Sequence, residues 1–310
     1  MSEAPEYDPL PSVNEFDVEA LLSESRNWGR WGEEDEVGAV NLITPAKIRE
    51  AASLVRSGRS ISLSRVFPKH PSPINPEPAL HFLKRTDVGS GGHVTDFYGI
   101  SYHGLASTHL DALCHFWGPD GIYNGRRPDD VISYGGATFG AIDKWSSGLV
   151  TRGVLIDVPR FRGEDFVEEG LPVHRSELEE ICRVDKITVT AGDALLVYCG
   201  RDAWSRSKGE PWGIDRVSRP GLHVSCLRFV REKDVAILVL DMMESPNGLD
   251  IPRSVHSAIP SFGLALLDNA LLEPLVQACR EEQRTDFMFM TAPLRVEGGT
   301  GSPVNPLAIL

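Results

Sequence analysis

The chain has 310 residues, 41% of them hydrophobic and 24% charged, which is enough apolar material for a sizeable core. Disordered, collagen-like and coiled-coil chains are excluded by that composition, and the length fits one α/β domain. With 44 acidic against 31 basic residues the formal charge is −13; such a surface repels phosphate backbones and anionic bilayers, so neither a nucleic-acid partner nor a membrane surface is expected.

The opening stretch MSEAPEYDPLPSVNEFD is acidic, rich in proline and without apolar periodicity. It predicts a flexible arm over residues 1–16 ahead of one domain spanning 17–310. The same stretch has neither the basic nor the apolar region of a secretion signal, so a cytoplasmic location is expected. Thr44 followed by Pro45 marks the start of a helix running through KIREAASLVRSG to Gly58. ISLSRVF then alternates Ile61, Leu63 and Arg65 with serines and predicts a strand. The proline-dense stretch from Pro68 to Pro78 is loop.

Further strands are predicted at Phe97 to Tyr102, Leu149 to Val158, Ala194 to Tyr198, Val235 to Leu240 and Asp286 to Thr291, from their β-branched and aromatic content. The longest apolar run, Val235 to Leu240 resuming at Met242, is far short of the ~20 residues a membrane span needs. A capping box of Ser176 and Glu179 opens a helix around Leu178, Ile181 and Cys182; Pro220 opens another through Leu227 and Val230; an apolar stripe marks a third over Leu271 to Gln283. The five cysteines, Cys114, Cys182, Cys199, Cys226 and Cys279, are odd in number and widely spaced, which fits reduced thiols better than a disulfide framework. Together these elements predict a single mixed α/β domain.

The strongest chemical signal is YHGLASTHLDALCHF, where three of the nine histidines, His103, His109 and His115, accompany Asp111. In an extended chain the odd positions from His103 to His115 share one face; a helix would turn His109 and Asp111 nearly opposite ways. His109 and Asp111 then form a partial coordination shell for zinc, manganese or iron. At ~3.3 Å per residue His115 reaches that point only if the chain bends after Asp111, and it suits a proton carrier better than a ligand. Polar strand faces also carry His and Asp for purely structural reasons, and His103 fits that reading. A Cys114–His115 dyad fails because strand neighbours face opposite ways, no GxSxG elbow occurs, and GGTGSP from Gly298 to Pro303 reads as a turn.

The run Thr108-His109-Leu110-Asp111-Ala112-Leu113-Cys114-His115 resembles the signature of the cyclase family of metal-dependent hydrolases, which includes bacterial kynurenine formamidase and isatin hydrolase. RWGEEDEVGAVNLITP near the start, IYNGR at Ile122 to Arg126 and PLRVEGGTGSPVNPLA at the end are similar to the longer branch of that family, so the resemblance covers nearly the whole chain. It implies a β/β/α swivelling-type fold with a central mixed β-sheet flanked by helices. It implies His109 and Asp111 as metal ligands and His115 as the general acid/base. The family's first ligand position is Leu105 here, which coordinates nothing; either another ligand such as His103 or Ser107 rebuilds the site, or metal affinity is reduced. A second ligand pair in two-metal members maps onto His256 and, with Asp in place of Glu, Asp268.

The implied cofactor is a divalent metal, zinc or manganese. The implied activity is hydrolysis of a small amide, imide, lactam or lactone, and the alternative is a metal-independent cyclase, dehydratase or isomerase using the same His/Asp cluster. Trp28, Trp31, Phe116 and Trp117, with His103, are candidates to line the substrate pocket. The partners expected are a small-molecule substrate and further copies of the chain, as a homodimer or homotetramer.

Overall fold

The computed structural model describes residues 15–215, 219–245 and 254–310. Its elements run α1 (Glu15–Glu24), α2 (Pro45–Ser53), β1 (Ser60–Ser62), β2 (Leu80–Val88), β3 (Gly91–Gly99), β4 (His109–Asp111), α3 (Pro128–Val131), β5 (Ile132–Ser133), β6 (Gly136–Ala137) and β7 (Leu149–Asp157). They continue with α4 (Val158–Arg162), α5 (Arg175–Val184), β8 (Ala194–Tyr198), α6 (Arg201–Lys208), α7 (Cys226–Glu232), β9 (Ile237–Leu240), α8 (Ala258–Phe262) and β10 (Ala265–Asp268). The last are α9 (Glu273–Glu281), β11 (Asp286–Thr291), β12 (Gly301–Pro303) and β13 (Leu307–Ile309). The expected arm over 1–16 lies outside the described residues except for Glu15 and Phe16, which begin α1.

Nine strands form one mixed sheet in the order β1-β13-β11-β7-β8-β9-β10-β4-β12. Its middle, β7-β8-β9-β10, is parallel, and the strands on either side are antiparallel. The reason is legible locally: ALLVY in β8 and ILVL in β9 are unbroken apolar runs, wholly buried, as strands covered on both faces must be. On the flank β11 alternates buried and half-buried positions. This is the predicted mixed α/β fold, and the strands expected from Leu149, Ala194, Val235 and Asp286 are β7, β8, β9 and β11. All five cysteines are free thiols, and among the described residues no helix is long and apolar enough to cross a membrane.

Several expectations are corrected. Thr44 does cap α2, its hydroxyl accepting from the Lys47 N–H at 3.2 Å, but the helix stops at Ser53, where the Leu54 N–H closes the last turn onto the carbonyls of Ala51 and Ala52; Gly58 lies beyond it and donates to the carbonyl of Leu310. The strand predicted from Ile61 is only β1, Ser60–Ser62. Ser176 and Glu179 make no capping box: the N–H groups of Glu177 and Leu178 are satisfied by the carbonyl of His174, one residue before the helix. Pro220 opens no helix, since Leu222 makes extended bridges to Val173 and Glu244, and α7 begins only at Cys226. GGTGSP turns at Gly298 but ends as β12, which pairs with β4.

The strand expected at Phe97 to Tyr102 is instead the end of β3, paired along its length with β2. Nearly every residue of this hairpin is exposed on both faces, including Phe82, Leu83, Val88, Val94, Phe97 and Tyr98.

Candidate metal centre

The extended face predicted from His103 to His115 shrinks to the three residues of β4, and the chain bends on both sides of it. β4 lies between β10 and β12, with His109 opposite Asp268 and Asp111 opposite Leu266. Directly opposed residues in an antiparallel pair share a face, so His109, Asp111 and Asp268 project from one side of the sheet while Leu110 is buried in the core on the other. After Asp111 the His115 N–H closes a turn onto the carbonyl of Ala112. That is the bend the proton-carrier assignment needs, and it brings His115 Nε2 to 3.8 Å from Asp111 Oδ1.

His103 also arrives. Its Nδ1 is 3.0 Å from Asp111 Oδ1 and its ring lies flat on that of His115, centroids 3.8 Å apart and planes 2° from parallel. Position 105 does not arrive: the Leu105 side chain rests against Gly213, and its carbonyl accepts a hydrogen bond from Arg201. The segment from Gly104 to Ser107 is shaped by Asn269, whose side-chain amide donates to the carbonyls of Gly104 and Ser107 at 2.6 and 3.0 Å while Arg201 donates to its oxygen. Asn269 does this from a left-handed conformation, φ 58°, directly after Asp268.

His256 stands in a 3-10 turn whose first N–H groups include its own, bound to Ser254 Oγ. Its Nε2 is 3.1 Å from Asp268 Oδ2 and its Nδ1 is 2.6 Å from Glu244 Oε2. Glu244 is held in turn by Arg219 at 2.8 Å. Glu244, Arg219, Asn269 and Arg201 were not singled out in the sequence; the one available signal was a carboxylate just past the carboxyl end of a buried parallel strand, where α/β sheets place ligands.

The charges of the cluster are mutually determined. Burial alone would raise the pKa of Asp111, but the imidazoles of His109, His103 and His115 outweigh it and hold the carboxyl well below the usual range. Glu244 likewise resists its burial and is brought down to about 2 by His256 and Arg219. Burial opposes charge on His256, yet the carboxylates of Glu244 and Asp268 on either side push its pKa well up. His115 goes the other way, down to about 4, because burial and the neighbouring imidazoles beat the attraction of Asp111. His109 Nδ1 donates to the carbonyl of Ser107 at 2.9 Å, which leaves its Nε2 facing Asp111.

Both carboxylate oxygens of Asp111, Oδ1 of Asp268 and Nδ1 of His103 are buried without an aligned hydrogen-bond partner. Uncompensated buried polar atoms of this kind cost about 1–3 kcal/mol each, and their clustering fits a cation. Two ligand sets, His103–His109–Asp111 and Asp111–His256–Asp268, each bring one donor atom per residue within 4.8 Å of the others. Mixed imidazole and carboxylate donors suit a first-row divalent ion.

Of the aromatic candidates, Phe116 approaches His256, with ring centroids 5.5 Å apart. Trp117 is 51% exposed. Trp28 spends its indole N–H on the carbonyl of Pro260 with Arg26 over its ring, and Trp31 lies under Arg30; no described contact brings either to the histidines. A cavity of about 300 Å³ opens onto the cluster at His103, lined also by Pro73, Asn75, Tyr102, Leu105 and Ile214. A larger one, about 530 Å³, lies between Phe67, Tyr98 and Val304 and has no cluster histidine in its wall; the smaller cavity is the one that meets the chemistry.

Fold and cluster together define a cyclase-type α/β protein with a candidate divalent-metal centre. The chain belongs to the cyclase family: that family's profile, described as "Putative cyclase", matches residues 59–245. Among solved structures it is similar to a novel cyclase, 27% identical with a TM-score of 0.83 over 93% of this chain and 99% of that one. It shares its fold with an isatin hydrolase bound to the product analogue thioisatinate, at 15% identity and TM-score 0.55 over 86% and 95% of the two chains. Isatin hydrolase A from Labrenzia aggregata is similar at 18% identity and TM-score 0.54, over 84% and 98%. Among curated proteins no match is found.

Proposed function

We propose that the protein is a metal-dependent hydrolase that opens a small amide, imide, lactam or lactone, of the kind cleaved by kynurenine formamidase and isatin hydrolase. The observation that carries this reading is the set of buried, unpartnered donor atoms on Asp111, Asp268 and His103. His109, Asp111, His256 and Asp268 would hold zinc or manganese. Such an ion lowers the pKa of water from about 15.7 towards ~7 and polarises the scissile carbonyl.

His115 lies within 3.8 Å of Asp111 and is one-quarter exposed, so it touches both the cluster and the open space beside it. Its lowered pKa keeps the imidazole neutral at pH 7, free to accept a proton from water and return it to the leaving nitrogen or oxygen. Phe116 beside His256 and Tyr102 in the cavity wall would pack a ring-bearing substrate.

Assembly as a homo-oligomer belongs to the same reading. The β2–β3 hairpin presents seven large apolar side chains, from Leu80 to Tyr98, each more than half exposed. The strand pairing puts Leu80, Phe82, Val88 and Phe97 on one face and Leu83, Val94 and Tyr98 on the other, and a two-stranded hairpin with both faces uncovered is marginal by itself. Size-exclusion chromatography with light scattering should find more than one copy, and Phe82→Asp/Phe97→Asp should dissociate it.

The activity is tested by metal analysis combined with turnover of N-formyl amides and cyclic imides before and after chelation. Metal-dependent hydrolysis restored by zinc or manganese is expected. Turnover untouched by exhaustive chelation would refute the metal-dependent route and favour a plain acid/base reaction of the same cluster.

A further inference from the structure

We propose that His103 supplies the ligand that Leu105 cannot, so that His103, His109 and Asp111 form one complete half of the metal site. The proposal rests on the metal-dependent reading above and concerns which side chains hold the ion.

The Leu105 side chain packs against Gly213 in the cavity wall. The Leu105 Cδ1 lies 3.0 Å from where a Cβ on Gly213 would sit, and its carbonyl is anchored by Arg201. His103, two residues earlier, reaches the cluster: its Nδ1 is 3.0 Å from Asp111 Oδ1, yet both atoms are buried without a hydrogen-bond partner. A ring nitrogen of His103 falls within 4.8 Å of ligand atoms on His109 and Asp111. Two close polar atoms that fail to bond each other are the arrangement expected where both address a third body.

The ring is also fixed from behind, as a ligand needs. His103 Nε2 lies 3.2 Å from Thr300 Oγ1, which orients the imidazole and leaves Nδ1 to coordinate. One ring face is stacked on His115. On its edge stands Gly301, where any Cβ would come within 2.8 Å of His103 Cε1. Gly104, with φ 140°, supplies a backbone conformation closed to other residues and lets the chain turn between His103 and Leu105. Four neighbours thus hold His103 in one orientation, although its side chain is 29% exposed.

Ser107 is the competing candidate, since its hydroxyl is buried without a partner. Its carbonyl already orients His109 and binds Asn269. A neutral hydroxyl is a weaker donor to a divalent ion than imidazole, the nitrogen ligand such ions favour. The geometry therefore favours His103.

The test uses the full-length protein. Zinc affinity is measured by competition with a chromophoric chelator, and cobalt(II) is added to read the ligand set from its visible spectrum. His103→Ala removes the ring; His103→Phe keeps a ring stacked on His115 but no nitrogen. Circular dichroism and thermal unfolding verify that both fold. Losing an outer partner of a metal ligand already weakens binding about 10–100-fold, so both variants should lose more than about tenfold in zinc affinity and alter the cobalt spectrum. Ser107→Ala should stay within about threefold of wild type. A folded His103→Phe protein with wild-type affinity and spectrum overturns the assignment while leaving the metal reading intact, as does loss of the ion on Ser107→Ala alone. Wild-type protein that binds neither zinc nor cobalt overturns the metal reading itself, and the His103 assignment with it.

Discussion

Glu244 offers the sharpest test of how the site is held together. Its two oxygens face two donors, His256 Nδ1 at 2.6 Å and Arg219 Nη2 at 2.8 Å, and the group is buried. Glu244→Gln keeps the shape but replaces one acceptor with an NH₂. If the amide oxygen stays with Arg219, the NH₂ meets His256 Nδ1 and forces that nitrogen to accept; the proton then sits on Nε2, the atom that faces Asp268 and would bind metal. If the oxygen turns to His256, the Arg219 guanidinium loses its partner. Either way one charge-assisted hydrogen bond is lost, about 1.5–3 kcal/mol. At about 1.4 kcal/mol per tenfold, zinc affinity should fall by roughly 10- to 100-fold, read by chelator competition. Affinity within twofold of wild type, in a folded variant, would show that the Glu244–His256 contact does not orient a ligand.

Three other outcomes follow from the same geometry. His115→Ala should lower kcat by about 10²- to 10⁴-fold with metal content unchanged, since His115 is assigned to proton transfer; parallel loss of metal in elemental analysis would contradict that division of labour. His223 is 6% exposed, and its Nδ1 accepts the N–H of Ser225. Burial, then the nearby His174 ring, lowers its pKa from 6.5 to about 4. A depressed imidazole favours the fold fully above pH 6.5 and loses that contribution as pH falls through 4, up to about 3 kcal/mol; in urea titrations at several pH values, His223→Asn should lose less stability over that window than wild type. Gly38 has φ 66°, and a Cβ there would lie 2.3 Å from the carbonyl oxygen of Gly263. Gly38→Ala should therefore cost about 2 kcal/mol or more in denaturant unfolding, because the loop carrying Gly38 must move off the end of α8.

What was legible in the sequence is what short-range periodicity records. β8 and β9 announce themselves as apolar runs and β7 and β11 by their β-branched and aromatic content, and the i, i+2 spacing of His109 and Asp111 survives because those two residues do lie in a strand. The pairing of His256 with Asp268 was legible only through the family resemblance, since nothing local links residues twelve apart across a helix. The β2 strand was hidden because LHFLKRTDV mixes apolar and charged residues without a buried face; its hairpin is exposed on both sides, so no alternation develops. Asn269 and Arg201 were hidden for a different reason. They act on the backbone carbonyls of Gly104, Leu105 and Ser107, and a carbonyl leaves no trace in the residue alphabet.

The site's place in the sheet explains why so few residues suffice. β10 is parallel to β9 on one side and antiparallel to β4 on the other, so the carboxyl end of β10, with Asp268, meets the start of β4, with His109. Asn269, the next residue, uses its left-handed backbone to leave the sheet and its side chain to shape the approach to β4. The reversal thus builds two things at once: a carboxylate facing an imidazole across adjacent strands, and the bend that delivers His103. Asp111 is the element common to both ligand sets, and its burial is tolerable only because imidazoles converge on it from three directions.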